Sequence, residues 1–469
     1  MTSLEALPLL RDLVRIPSVN PRGGPGDGGE TAVAGYVRDW LARHGVAAEL
    51  HEVLPGRCGV VAVVPGRDPA AVLLESHLDT VETDGMTVSP FDGEVRGGRL
   101  FGRGACDAKG PLAAFMLAAA ELARGEPPPH TVVLAGVCDE EHAYRGVLRL
   151  LDVLADRRVV GAIVGEPTGL APAVAHKGVV RYTVRTTGRA GHSSRPEEAV
   201  NAVSLMAPVL AHLAAVPPDV APHPLLGPAT RSVTRVRGGT GPNTIPGSCE
   251  ADVDRRTLPG EDPEAVWQRD RAELAGLGAE LDPPFTVDPA LDTPPGTPVV
   301  DALCRALAAH GRPSDVQGMP FGTDASKLAR SGIPSVVFGP GSVRDAHAAA
   351  ESVELAEVTL AASIVVAAVR GIEGRSAENA LGGRASGGGR GREGERSCEG
   401  ERSCEAAAGS TAVRTSRGPE GHGSADPGPG GMAVRTPRGP EDQGPPGPAP
   451  GGTAVPGSAP AVPEESPCD

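Results

Sequence analysis

The last 95 residues of this 469-residue chain limit what the chain can fold into. Residues 375–469 contain no Phe, Tyr, Trp, Ile or Lys, and 34 of them are Gly or Pro. Such a segment cannot bury enough apolar surface to offset the conformational entropy that folding removes. We therefore predict that residues 375–469 form a disordered, low-complexity tail and that the folded structure lies within residues 1–374.

Charge and cysteine spacing exclude several classes of protein. The formal charge is −15, and the lysines are Lys109, Lys177 and Lys327. An acidic chain without a basic run argues against nucleic acid or an anionic membrane as a partner. Glu5 and Asp12 interrupt the apolar run that a secretory signal needs, and no apolar stretch reaches about 18 residues. Eight widely spaced cysteines without a CxxC pattern do not form a disulfide framework or a structural zinc site. We therefore expect a cytoplasmic protein.

The first part of the chain has the pattern of an α/β domain. Apolar runs of strand length alternate with amphipathic helical windows, which predicts a mixed, mostly parallel sheet. One predicted helix ends at Gly45, and another runs from Pro111 to Gly125. The predicted strands are Val60–Val64, Ala71–Glu75, Thr131–Val137, Val159–Val164 and Ser335–Phe338.

The pattern then changes to that of a smaller α+β domain. Residues 180–186 alternate between apolar and polar, as in an antiparallel strand with one solvated face. A helix is predicted from Pro196 to Val216, followed by strands over 231–237 and 249–255. The predicted division is a catalytic domain over 1–177 and 291–374, an inserted domain over 178–290, and the tail over 375–469.

Imidazoles and carboxylates follow four of the predicted strands, at the edge where open α/β folds bind ligands. Each alone is more often an ordinary surface or core residue, but one solvated face does not explain them all. Two His, one Asp and two Glu make a ligand set that suits a pair of divalent ions, with one carboxylate left as a base. The residues that follow strands are His77 and Asp79, the run Asp139–His142, Glu166 and His347. A further carboxylate, Asp107, lies just before a predicted helix.

Other readings of these motifs remain open at this point. A glycine-rich segment, GRGACDAKG, could indicate a phosphate site, but no Gly-Lys-Ser/Thr ending is present. Arg256 is in phase with the polar face of its strand and could bind a carboxylate. A surface ion pair with Asp252 or Asp254 is an equal alternative for Arg256. His192 could belong to a helix start that Ser193 or Ser194 caps.

The remaining histidines and cysteines near these motifs are expected to have no role in the site. A cysteine thiolate could compete for zinc, but the carboxylate set is already complete. The residues set aside in this way are His130, His142, His176, Cys106 and Cys138.

The sequence resembles a family of co-catalytic zinc amidohydrolases and exopeptidases. That family includes acetylornithine deacetylase, succinyl-diaminopimelate desuccinylase, aminoacylase and carboxypeptidase G. The matching segments follow the family's order and span nearly all of residues 1–374. They are SHLDTV (76–81), GRGACDAKG (102–110), CDEEH (138–142), GEPT (165–168), GRAGHSSRPEEAVNA (188–202), GPNTIPGSCEADVDRRTLPGED (241–262), FGTDA (321–325) and GPGSVRDAH (339–347).

The resemblance implies a zinc-exopeptidase-like catalytic domain with an inserted lid and dimerisation domain. It also implies a homodimer and two divalent metal ions, most simply zinc, with cobalt or manganese as replacements. The implied roles are as follows: His77 and Glu166 hold one ion, Glu141 and His347 hold the other, Asp107 bridges them, Glu140 is the general base, Asp79 orients His77, His192 stabilises the oxyanion from a partner subunit, and Asn243 and Arg256 contact the substrate carboxylate.

The reaction implied by this resemblance is hydrolysis of the amide bond of an N-acylated amino acid. A water between the two metals would lose its proton to Glu140 and attack the acyl carbon. The segments GPGS, NTIP and DRRTLPG most resemble those of acetylornithine deacetylase-like enzymes. A desuccinylase, an aminoacylase, a metallo-carboxypeptidase or a dipeptidase would use the same site. A non-catalytic metal-dependent binding protein would not need Glu140.

Overall fold

A computed structural model describes residues 6–22 and 29–372. The strands are β1 (Ala47–Leu54), β2 (Arg57–Val64), β3 (Asp68–His77), β4 (Glu94–Arg96), β5 (Arg99–Phe101), β6 (His130–Val137), β7 (Val159–Val164), β8 (Ala173–His176), β9 (Gly178–Thr187), β10 (Gly191–His192), β11 (Thr230–Gly238), β12 (Thr244–Ile245), β13 (Ser248–Thr257), β14 (Glu280–Leu281), β15 (Thr286–Asp288), β16 (Leu291–Asp292), β17 (Gln317–Met319), β18 (Ser335–Val337) and β19 (Ser352–Glu354). The α-helices are α1 (Ala6–Arg15), α2 (Glu30–Arg43), α3 (Lys109–Arg124), α4 (Arg145–Val153), α5 (Ala202–Ala215), α6 (Pro263–Ala275), α7 (Pro298–Ala309), α8 (Ala325–Arg330) and α9 (Leu355–Gly371).

The largest sheet has nine strands in the order β1-β2-β6-β3-β7-β18-β8-β16, with β17 paired to β8. The central strands β6, β3, β7 and β18 run parallel, whereas β1 and β2 are antiparallel to their neighbours. All five strands predicted for this sheet are present in it. The four parallel strands among them are buried on both faces and form continuous apolar runs in the sequence, which is why they could be predicted. The α/β prediction with a mixed, mostly parallel sheet is confirmed.

Helices cover both faces of this sheet. One apolar core includes residues of α1, α2, α3, α7 and α9, and a second includes residues of α4 and α8. The helix α3 is apolar nearly all round because it packs between the sheet and α9. The helix α2 ends as predicted, with Gly45 just beyond it at φ +81°.

Residues between 178 and 288 form a second, five-stranded antiparallel sheet in the order β11-β13-β9-β14, with β15 also paired to β9. Helices α5 and α6 pack on one face of this sheet around a third apolar core. The predicted helix start at Pro196 is wrong. Residues 196–198 make a short 3-10 turn, and Val200 pairs with Arg189 in an extended bridge. The helix α5 therefore begins at Ala202, where the side chain of Asn201 accepts two backbone N–H groups.

No helix within residues 6–22 and 29–372 is both long enough and apolar enough to span a membrane. The predicted low-complexity tail, residues 375–469, lies outside the described residues.

Candidate metal centre

Three adjacent parallel strands bring predicted ligands to one edge of the large sheet. His77 ends β3, Glu140 and Glu141 follow β6, and Glu166 follows β7. These strands lie side by side in the order β6-β3-β7. Because parallel strands end at the same edge, the residues that follow them meet there.

Asp107 lies between two histidines that come from different parts of the chain. His77 Nε2 is 3.0 Å from Asp107 Oδ1, and His347 Nε2 is 3.2 Å from Asp107 Oδ2. The backbone N–H groups of Cys106 and Asp107 donate to the buried Glu351 carboxylate at 2.9 and 3.0 Å, which fixes this segment. An imidazole on each oxygen is the arrangement expected of a carboxylate that bridges two ions.

Two glutamates complete the ends of this cluster. Glu166 Oε1 is 3.9 Å from His77 Nε2, and Glu141 Oε1 is 3.0 Å from His347 Nε2. Possible ligand atoms of His77, Asp107 and Glu166 lie within 4.8 Å of one another, as do those of Asp107, Glu141 and His347. The five residues predicted to bind metal therefore share one cluster, and Asp107 is common to both groups.

Glu140 and Glu141 are neighbours in sequence but differ in their contacts. Among the described residues, no hydrogen bond or ion pair within 4.0 Å involves the Glu140 carboxylate, whereas Glu141 is paired with His347. Both glutamates line the same cavity. Glu140 also falls within 4.8 Å of His77 and Glu141, so a ligand role for Glu140 is the alternative to a base.

Asp79 contacts both sides of the cluster. His77 Nδ1 is 3.0 Å from the backbone carbonyl oxygen of Asp79 and 3.6 Å from Oδ1 of its side chain. The Asp79 carboxylate accepts the backbone N–H groups of Glu140 at 3.1 Å and Glu141 at 3.0 Å. The predicted orientation of His77 therefore comes mainly from the Asp79 carbonyl group, and the carboxylate holds the turn that carries the two glutamates.

Burial and pairing act in opposite directions on the charges of this centre. Burial raises the pKa of Glu140 and of Glu166 well above the ordinary range. Burial also disfavours charge on Asp107, but hydrogen bonds from His347 and His77 outweigh it and lower the pKa of Asp107. The hydrogen bond with Asp107, followed by the one with Glu141, raises the pKa of His347 to about 10.

The donor set fits a pair of divalent ions. Four largely buried carboxylates face two imidazoles, and in their deprotonated, metal-binding form they carry an excess of negative charge that cations would offset. Imidazole nitrogen combined with carboxylate oxygen suits zinc, cobalt and manganese. The residues that would hold the ions are His77, Asp107, Glu141, Glu166 and His347.

The centre forms one wall of a cavity of about 360 Å³, which residues of the five-stranded sheet also line. Arg256 lines this cavity, and its guanidinium forks onto Asp254 with contacts of 2.7 and 3.2 Å. Arg181 lines it too and donates to the same carboxylate at 2.8 Å. The ion-pair alternative for Arg256 is therefore confirmed with Asp254 as the partner, and carboxylate binding by Arg256, which also lines the cavity, stays a prediction. Two guanidinium groups on one carboxylate leave a net positive charge that suits a substrate carboxylate.

His192 and Asn243 lie together but outside this cavity. The short strands β10 and β12 pair, and the backbone N–H of Ser193 donates to the Asn243 carbonyl at 3.0 Å. Both side chains are exposed, and neither belongs to the described residues that line the cavity. The helix-capping reading of Ser193 and Ser194 is wrong, because Asn201 caps α5. Ser194 instead contacts His192 Nδ1 at 2.7 Å.

Among the described residues, no group that could hold a metal ion includes the histidines and cysteines expected to have no role in the site. His176 is buried and accepts the backbone N–H of Thr323 at 3.3 Å. His130 Nδ1 lies 3.6 Å from Asp68 Oδ2. Burial raises the pKa of the thiols of Cys106 and Cys138, which keeps them protonated.

Sequence reasoning missed several buried polar residues behind the centre. Glu75 in β3 and Asp324 before α8 are almost fully buried, and burial raises the pKa of Asp324 to about 7. A glutamate inside an apolar strand was a signal for the first of them. Asn20 and Arg57 both donate to Asp139 in the turn after β6. They are far from it in the sequence, so no local pattern indicated these contacts.

The fold and the cluster at the sheet edge define a metal-dependent hydrolase. Residues 73–371 match the sequence model of peptidase family M20/M25/M40. The chain belongs to this family, and it is a hydrolytic enzyme.

Individual relatives agree with this assignment. Acetylornithine deacetylase of Proteus mirabilis (strain HI4320) is 29% identical over 376 residues, covering 74% of this chain and 92% of the relative. The enzyme of the same name from Myxococcus xanthus is 32% identical over 351 residues, covering 71% and 90%. The crystal structure of the Bacillus subtilis YXEP protein, described as a dinuclear metal binding peptidase from the M20 family, is similar with a TM-score of 0.60 and 20% identity, covering 78% of this chain and 96% of that one.

Proposed function

We propose that this protein removes the acyl group, an acetyl group in the first instance, from N-acylated amino acids. The observation that carries the proposal is the difference between Glu140 and Glu141, since one carboxylate is paired with a histidine and its neighbour is left to face the cavity. Metal-assisted hydrolysis of an amide by an activated water uses a general base beside the residues that bind the metal. The relatives named acetylornithine deacetylase support the choice of substrate class.

Each residue of the centre has a part in this proposal. When bound, two divalent ions, most simply zinc, would polarise the acyl carbonyl group and lower the pKa of the attacking water. Glu140 accepts the proton of that water on a carboxylate oxygen and returns it to the leaving amine. The Asp79 carboxylate accepts hydrogen bonds from the backbone N–H groups of Glu140 and Glu141. These bonds hold the turn that orients the Glu140 side chain.

The substrate carboxylate is the feature that Arg256 would recognise. The guanidinium of Arg256 faces the cavity beside a second cation, Arg181, and both are held by Asp254. Charge-assisted hydrogen bonds of this kind orient an anionic group as well as bind it. Because Asn243 lies outside the cavity of its own chain, its amide donor would reach the same group only from a partner subunit.

Residues 178–290 would serve as the lid and as the contact between two copies of the chain. His192 and Asn243 are exposed on this segment and outside the cavity, which suits delivery of His192 to the centre of a partner subunit. The strand β11 is an edge of its sheet, and Val203, Leu205 and Val236 nearby are exposed apolar residues. An apolar face beside a free strand edge favours a symmetric dimer. The cytoplasmic location, the domain boundaries and the disordered tail stay predictions.

A substrate panel on metal-reconstituted protein tests the proposal. N-acetyl amino acids, N-succinyl amino acids and dipeptides are compared by kcat/KM, with Glu140→Gln as the control for contaminating hydrolase. We expect the N-acetyl series, N-acetylornithine included, to have the highest kcat/KM. A clear preference for dipeptides or N-succinyl compounds would replace the deacetylase assignment, and no hydrolysis of any of them would refute it.

A further inference from the structure

The turn that carries Glu140 and Glu141 begins with a backbone conformation that needs support. Asp139 has φ +70°, the left-handed region that residues with a side chain seldom adopt. Its carbonyl oxygen accepts the backbone N–H groups of Ala143 at 3.2 Å and Tyr144 at 2.7 Å, which closes the turn. The direction in which Glu140 leaves β6 therefore depends on keeping Asp139 in this conformation.

A buried polar network holds the Asp139 side chain. Arg57 donates to Asp139 Oδ1 at 3.0 Å and also forks onto Glu30. Glu30 Oε1 in turn accepts the backbone N–H of Asp139 at 3.0 Å. Arg145 donates to both oxygens of the Asp139 carboxylate. Asp139 and Glu30 are fully buried, and Arg57 is nearly so.

Asn20 is the residue that joins this network to Asp79. Its Nδ2 group donates to Asp79 Oδ2 at 2.7 Å and to Asp139 Oδ1 at 3.1 Å. The two hydrogens of one amide group thus separate two buried carboxylates that would otherwise repel each other. Those carboxylates support the turn from both sides, because Asp79 accepts the N–H groups of Glu140 and Glu141. Asn20 itself is fixed, since its Oδ1 accepts the backbone N–H of Arg22 at 2.8 Å.

We propose that Asn20 is a positioning residue for the reaction, which acts on Glu140 through Asp79 and Asp139. The inference rests on the proposed function, in which Glu140 is the base. Without the two donors of Asn20, the carboxylates move apart and the strained turn relaxes, so Glu140 leaves the position from which it can accept a proton. Metal binding does not rest on this amide group alone, because Glu141 is also paired with His347 and His77 contacts the backbone carbonyl oxygen of Asp79. Arg256 is held by Asp254, outside this network.

The variants Asn20→Ala and Asn20→Asp test this role, with Tyr36→Phe as the control for loss of a hydrogen bond elsewhere. Asn20→Asp keeps the volume of the side chain but removes its donors. We expect both variants to lose about tenfold or more in kcat, with little change in KM and with the metal content of the wild type. Tyr36→Phe removes a hydrogen bond of 3.0 Å to Asp12 outside the cavity and outside residues 178–290, so it should lower Tm while leaving kcat unchanged.

Three results would overturn the inference. The first is an unchanged kcat in both Asn20 variants. The second is recovery of kcat in excess zinc or cobalt, because Asn20 would then support the ligands and not the base. The third is that Asn20→Ala lowers kcat by the same factor in Glu140→Gln as in the wild type. The effects of residues that act through one another are not additive, so this result would separate Asn20 from Glu140. An unaltered rate in Glu140→Gln alone would instead refute the proposed function.

Discussion

The side chain of His347 reaches Asp107, with 3.2 Å between Nε2 and Oδ2, although the two residues are far apart in the chain. Asp107 is supplied by the segment before α3, and His347 by the loop that follows β18. The same carboxylate contacts His77 with its other oxygen. Two potential metal positions therefore share one aspartate. One of them also uses His77 at the end of β3, and the other uses His347 after β18.

This shared aspartate predicts a stoichiometry of two divalent ions per chain. Asp107→Ala should weaken metal binding at both positions, because each position loses a ligand. Elemental analysis of the reconstituted variant should then find fewer than two ions per chain. The surface variant Asp152→Ala serves as a control and should retain both. One tightly bound ion per chain, unchanged in Asp107→Ala, would refute a bridged pair.

Arg256 should matter only for substrates with a free carboxylate. Arg256→Gln is expected to lower kcat/KM by about 10- to 100-fold on an N-acetyl amino acid, the range for loss of a charge-assisted contact. The corresponding carboxamide substrate should be hydrolysed equally by the variant and the wild type. Arg235→Gln, which removes an arginine paired with Asp252 on the same sheet, is the control. Equal losses on both substrates would point to a structural role.

His192 should act across a subunit boundary. His192→Ala is expected to lower kcat by about 100-fold without changing metal content or Tm, because an exposed residue that donates to the oxyanion supports neither. Mixing His192→Ala with Glu140→Gln should restore activity, to about a quarter of the wild-type value if dimers exchange at random, since one site in each mixed dimer is complete. Absence of any recovery after verified exchange would place His192 in its own subunit's site or outside the reaction.

Sequence patterns predicted the parts of this structure that depend on local burial. The strand β7 matches its predicted range because both of its faces are buried, and His77 and Glu166 could be identified because they follow such strands. The start of α5 could not be predicted, since the pairing of Val200 with Arg189 is a tertiary contact. Asn20 was missed for the same reason, because Asp139 is 119 residues away in sequence.

The buried His176 should make stability depend on pH. Burial lowers the pKa of this imidazole from 6.5 to about 4, while Nε2 accepts the Thr323 N–H. The unfolded chain therefore binds the proton first as the pH falls, and stability is lost between about pH 6.5 and 4, by at most about 3 kcal/mol. The free energy of unfolding of His176→Gln should vary less over this range than that of the wild type. Parallel pH profiles would show that His176 is not responsible.

The central claim is that Glu140 is the base and Glu141 a ligand, and the pair of variants Glu140→Gln and Glu141→Gln tests it most directly. Metal content and single-turnover rate are measured on both reconstituted proteins. Glu140→Gln should keep two ions and bind substrate, yet lose nearly all turnover, because an amide cannot accept the proton of the water. Glu141→Gln should weaken one ion and regain part of its rate in excess metal. The two roles would be exchanged if Glu140→Gln lost an ion while an inactive Glu141→Gln retained both. Undiminished turnover in Glu140→Gln would contradict general-base hydrolysis at this centre.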